Sequence, residues 1–314
     1  MSQLHGNLLI GRVGGWLVEL AASWAIVMIV TGLYLAWPRG RGLAGVVWPR
    51  ARAGLRDLHA VTGFWVAGLA LVLLVSGLPW TSVWGDAFTA VRAELALVKD
   101  APDWKRGAGH AEHDHRAMAD ASPLSTPLTL LPAMIDLARA ERLTFPAIIR
   151  PPGVTDAAGT PSLGWVLKSE AQNRTLARTI AVDQAGRELS RTGFADKHPI
   201  DRAVGYGISW HEGQLFGWVN QLVGVLTAAA LVALAVTSFL LWRRRRPVGV
   251  LGAPLPVRAG ATKGVAAIIL VLCMLLPLLA ISLGVVLLVE WAVLRRLPAT
   301  AAWLGLPAPA GGRR

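Results

Sequence analysis

Four stretches of this chain are each long and apolar enough to require a solvent other than water. GGWLVELAASWAIVMIVTGLYLAW (14–37), HAVTGFWVAGLALVLLVSGLPW (59–80), LFGWVNQLVGVLTAAALVALAVTSFLLW (215–242) and GVAAIILVLCMLLPLLAISLGVVLLVEW (264–291) all reach the roughly 20 residues that cross a bilayer. Hydrocarbon offers no water to backbone polar groups, so such runs are predicted to be helices. A hydrophobic content of 54% and a mean hydropathy of +0.49 agree. The first run does not read as a secretory signal: it is too long, has almost no basic residue before it, and ends in Trp37 and Pro38 where a small-residue cleavage site would stand.

The net charge of +12 would suit nucleic acid if it were spread over a polar domain, but its location excludes that reading. Residues 81–210 hold 15 Lys/Arg against 15 Asp/Glu, so the excess lies elsewhere. Arg39, Arg41, Arg50, Arg52 and Arg56 fall between the first two runs, and Arg243, Arg244, Arg245, Arg246, Arg258 and Lys263 between the last two. Basic residues in short loops mark the cytoplasmic side, which predicts an extracytoplasmic 81–210. Four spans would then put the tail, with Arg295, Arg296, Arg313 and Arg314, on the outer side against the same rule. Cys273 is the single cysteine, lies within a run, and is read as packing.

The predicted domains are spans one and two with their loop (1–80), an extracytoplasmic segment (81–210), span three (211–246), and a loop, span four and tail (247–314). Within the segment, 99–127 is polar and reads as a linker. From Leu128, LTLLPAMIDLARAERL has helical spacing, with Leu131, Met134, Ile135 and Leu137 to Ala138 on one face. PAIIRPP, GWVLKSE and TLARTIAVD are strand candidates, and a turn at 183–186 leads into RELSR. One helix on a small antiparallel sheet follows.

The chain also repeats itself at an offset of 206. LHGNLLIG (4–11) aligns with WHEGQLFG (210–217), so His5 meets His211, Leu9 meets Leu215 and Gly11 meets Gly217; further on, Thr31 meets Thr237. Two equivalent spans thus begin beside equivalent histidines. One histidine at a helix end need only keep its polar tip in headgroup water. Two at one depth can approach one metal from opposite sides, and the glycines beside them leave room for a flat cofactor. Bis-histidine haem fits, because neutral imidazoles need no buried counter-charge and two protein ligands favour electron transfer. His59 starts span two at the opposite face, about 30 Å away, where a second haem would fit; no other histidine lies on that side. Glu19 and Glu212 are costly near hydrocarbon and could orient an imidazole. His198 is an alternative outer ligand, and His110, His113 and His115 form a loose tract that reads as solvated linker. GRVGG lacks a dinucleotide fingerprint, and neither HExxH nor GxSxG occurs.

With RDLHAVTGFW, SGLPW, HEGQLFGW and WRRRRP in view, the chain resembles the PepSY-associated transmembrane family, which includes ferric-siderophore reductases. The resemblance implies a PepSY-like domain at about 128–205 and haem-ligand roles for His5, His59 and His211. Longer members open with a further span bearing an RLHRW-like histidine and another PepSY domain. This chain begins after that point, which would explain why His59 lacks a partner unless a second subunit supplies one.

The expectation is therefore a membrane α-helical protein with four transmembrane helices and an inserted small α+β, PepSY-like extracytoplasmic domain, in the bacterial inner membrane with 81–210 periplasmic. It would carry one or two haem b groups and pass electrons from a donor the sequence does not name to a periplasmic ferric siderophore or other iron chelate. The alternative is a non-enzymatic membrane protein presenting a PepSY domain as a binding or protease-regulating module.

Overall fold

The computed structural model describes residues 2–38, 42, 44–50, 54–95, 128–154, 162–252 and 261–306, which fall into two compact units. The first comprises 1–86 and 223–314, the second 87–222. The first unit carries the apolar helices. A short α1 (Ser2–Asn7) leads into α2 (Gly11–Ala36), followed by α3 (Leu55–Gly77) and, later in the chain, by α7 (Trp218–Arg245), which belongs to this unit from residue 223 onward. The elements of the second unit take the intervening labels below. Among the described residues, four helices are long and apolar enough to cross a membrane: Gly11–Ala36, Leu55–Trp80, Trp218–Arg245 and Pro277–Arg296. Their outward faces keep Met28, Trp65, Val225, Val232 and Val285 exposed, as a hydrocarbon solvent allows.

The sequence predicts one continuous span at 264–291. The structure instead has α8 (Ala261–Leu275) and α9 (Pro277–Ala292), separated by Leu276 in extended conformation (φ −125°, ψ 91°). Pro277 is the cause, since its ring disfavours a helical conformation in the residue before it and it has no N–H to donate. The arms then run in opposite directions along α2. Gly264, at the start of α8, lies directly against the Tyr34 hydroxyl near the end of α2. At the apex the Leu275 carbonyl accepts from Trp84 Nε1 (3.0 Å), and on the returning arm Trp24 Nε1 donates to Ser282 Oγ (3.2 Å). Trp84 thereby meets a carbonyl freed by the break, the condition on which irregular backbone is tolerated at membrane depth. Leu276 and Leu279 pack with Ile26, Val27 and Leu78 in the unit's core, with Cys273 at its edge.

Because α9 turns back, the chain after it returns to the face from which α8 started. The short α10 (Pro298–Leu304) confirms this: Trp303 O accepts from Leu251 N (2.7 Å), just beyond Arg243–Arg246. Arg295 and Arg296 thus lie at the same face as the other described arginine loops, and the conflict with the charge rule disappears. Arg50 pairs there with Asp57 at the start of α3 (2.7 Å), while Trp65 Nε1 donates to Val47 O.

The second unit holds α4 from Ala87 onward (Val83–Glu94 in full), α5 (Leu131–Ala140), β1 (Ala147–Arg150), β2 (Trp165–Ser169), β3 (Arg178–Val182), β4 (Glu188–Gly193) and α6 (Pro199–His211). One helix on a small antiparallel sheet is as the sequence predicts, and two further helices, α4 and α6, are added to it. The strands form one antiparallel sheet in the order β1-β2-β3-β4. Period-two alternation turns Trp165 and Leu167 of β2 and Ile180 and Val182 of β3 to one face, where Met134 and Ala138 of α5 cover them. Arg92 of α4 is buried against Asp201 at the start of α6 (2.5 Å).

Labelling with a membrane-impermeant maleimide tests the returning hairpin. In a Cys273→Ser background, Ala302→Cys should react from the same side as Val248→Cys and from the side opposite Gln3→Cys. Labelling of Ala302→Cys together with Gln3→Cys would contradict the hairpin.

Candidate functional site

The internal repeat is a repeat of local structure. In each copy a short helix closes at or just after a histidine, a turn follows, and a left-handed glycine precedes or opens a long apolar helix. His5 lies near the end of α1 and Gly11 has φ +67°; His211 ends α6 and Gly217 has φ +60°. Glycine carries no Cβ to oppose that conformation. The aligned amides of Leu9 and Leu215 are also met alike, by Asn7 Oδ1 (3.1 Å) and Asn220 Oδ1 (3.2 Å). Asn220 reaches from the first turn of α7 and donates its amide to Trp210 O (3.1 Å), which fixes the turn beside His211. His5 is exposed and His211 half-buried. They belong to different units, so the structure describes each in its own surroundings.

His59 is half-buried near the start of α3, and its Nδ1 lies 2.8 Å from Thr237 Oγ1 on α7. The Thr237 hydroxyl is also within hydrogen-bond reach of the Ala233 (2.8 Å) and Leu234 (3.1 Å) carbonyls. The contact with His59 engages Nδ1, and Nε2 is the nitrogen turned away from it. A hydroxyl that orients the ring is the kind of outer contact that metal-ligating histidines use. Thr237 enters the sequence reading only as the repeat partner of Thr31, which back-bonds to Val27 O in the same way (2.6 Å). No sequence signal links it to His59, because the pairing spans 178 residues.

Glu19 is 1% exposed, and its two carboxylate oxygens accept from the amides of Val83 and Trp84, both at 2.9 Å. These are the first amides of α4, which have no partner within their own helix. A carboxylate in the apolar unit is thus balanced by a helix N-terminus. It also positions Trp84, the residue that serves the hairpin apex. His198 is the N-cap of α6, with Nδ1 accepting from Ile200 N (3.3 Å). That contact ties the Nδ1 side of the ring to the first turn of α6. Glu212 caps the end of α6; burial, though its side chain keeps solvent contact, pushes its carboxyl above the usual glutamate range, with Arg174 opposing. His110, His113 and His115 lie outside the described residues.

Among the described residues, no three His, Cys, Asp or Glu side chains gather as a bare ion would need. His5, His59 and His211 each stand as single imidazoles near helix ends.

Two outcomes follow from these contacts. Glu19→Ala should lower the unfolding free energy of the solubilised protein by about 1.5–3 kcal/mol, the range for hydrogen bonds to a charged group, and Glu19→Gln should cost less. Glu212 binds its proton more tightly when folded, so its contribution is full below the ordinary value of 4.5 and is lost as pH rises through the raised one. Thermal unfolding from about pH 4 to 7 should therefore show a smaller decline for Glu212→Gln than for the wild type.

A search of curated proteins finds no match to the chain. The family model for the PepSY-associated TM region matches residues 1–245, which takes in α1 to α3, the sheet unit and α7. The chain belongs to the PepSY-associated TM family.

Proposed function

We propose that this multi-pass membrane protein binds haem b and carries electrons across a bacterial inner membrane to ferric iron or a ferric siderophore on the periplasmic side, as part of iron uptake. The observation that supports the reading is His59, whose Nδ1 lies 2.8 Å from the Thr237 hydroxyl, a contact that orients the ring and leaves Nε2 as the nitrogen that would meet a ligand. The basic loops assign its face to the cytoplasm, and the return of α9 brings Arg295 and Arg296 into line with that assignment. His5 and His211, in matching turns, would serve the outer face.

Bound haem supplies a one-electron carrier at each face that holds it. The chain's own contribution is orientation. Thr237 fixes the His59 ring, while Asn220 and the left-handed Gly217 fix the turn of His211. Were two imidazoles to hold one iron, electrons would pass to the acceptor without a protein acid or base. The second ligand of an inner haem would come from another chain, and the electron donor would approach the arginine-bearing face.

Absorption spectra of the purified protein test the proposal. A reducible low-spin haem spectrum should be present in the wild type and reduced or lost in His211→Ala and His59→Ala. Thr237→Val should weaken haem retention about 10- to 100-fold, and Thr237→Ser should restore it. A folded, membrane-inserted protein that stays colourless after expression with ample haem would overturn the reading and leave a binding or protease-regulating module.

A further inference from the structure

The sheet unit carries a cleft of about 360 Å³ between the end of α5 and the start of β3, lined by Glu141, Arg142, Thr144, Thr175 and Arg178 among others. That volume lies within the range of small-molecule sites. Its charges are unevenly matched. Glu141 is gripped from the sheet by Arg191 through two bonds (Nη1 to Oε2 2.6 Å, Nη2 to Oε1 2.8 Å), and Arg191 also holds Glu188. Arg142 and Arg178 are both exposed, and neither side chain has an ion pair or hydrogen bond among the described residues; only the longer-range field of Glu141 reaches Arg178. The Thr144 hydroxyl is a further polar group on the same wall, whereas Thr175 already donates to Asn173 Oδ1 (2.7 Å).

Arg142 holds a left-handed backbone (φ +50°) just past the end of α5, where glycine is the usual residue. A bulky side chain kept in that conformation is a local outlier, of the sort that gathers at binding sites. Arg142 and Arg178 both line this cleft, and two guanidinium forks are suited to carboxylate oxygens.

We propose that this cleft docks a small molecule bearing more than one carboxylate, held by Arg142 and Arg178. An anionic ferric chelate belongs to that class; naming it as the physiological ligand rests on the redox reading above, while the anion site stands on the cleft alone.

Isothermal titration of the full chain in uncharged-lipid nanodiscs, with citrate as the probe, free or loaded with ferric iron, tests the site. Wild type should bind at low salt, and the Arg142→Ala/Arg178→Ala double variant should bind at least tenfold more weakly. The double lysine variant should recover part of the loss, and Arg139→Ala, outside the cleft, should match the wild type. Equal affinity in wild type and double-alanine variant, no binding by wild type, or tighter binding of inorganic phosphate than of citrate would each overturn the proposal. A colourless His211→Ala protein that still binds citrate would separate the two readings: the anion site does not require the haem.

Discussion

In hydrocarbon a backbone group without a partner has no water to turn to, and this requirement organises the apolar unit. Pro277 breaks what would be a single span, and the break is tolerable because Trp84 donates to the carbonyl of Leu275 beside it. Trp84 is held in turn by Glu19, whose carboxylate binds the amides of Val83 and Trp84. One buried acid therefore caps a helix, positions an indole and supports a hairpin. Because the hairpin returns, every described basic loop of the unit lies at one face, and the sidedness of the chain becomes consistent with its charge.

Much of this was legible in the sequence, and the failures have physical causes. The apolar runs marked α2, α3 and α7, since hydrocarbon thickness fixes a minimum length and lipid tolerates no alternation. The period of α5 and the alternation in β2 and β3 predicted the sheet unit, because its core is built from local patterns such as Met134 to Ala138 and Trp165 to Leu167. The hairpin was misread as one span. Hydropathy integrates over Leu276 and Pro277 without registering direction, although the proline was the signal. Glu19 looked like a candidate cofactor contact because sequence shows the cost of a buried charge and not the α4 amides, more than 60 residues away, that meet it.

The repeat shows the opposite balance. Its offset placed His5 with His211 and Gly11 with Gly217, and the structure gives both copies the same left-handed glycine and the same asparagine-capped amide. What the repeat could not show is how His59 is held. That depends on a contact between α3 and α7, made by His59 and Thr237. The sheet unit adds a chemistry the repeat does not contain, a cleft with two guanidinium groups at the end of α5.

The central claim is that imidazoles of this chain ligate haem iron. Electron paramagnetic resonance of the oxidised, purified protein at cryogenic temperature addresses it directly, because axial ligands set the spin state of ferric haem. The account predicts a low-spin ferric signal typical of nitrogen ligation on both sides, converted to high spin or lost in His211→Ala. A haem-replete preparation showing only a high-spin signal, or one unchanged by replacing His5, His59 and His211 in turn, would contradict it.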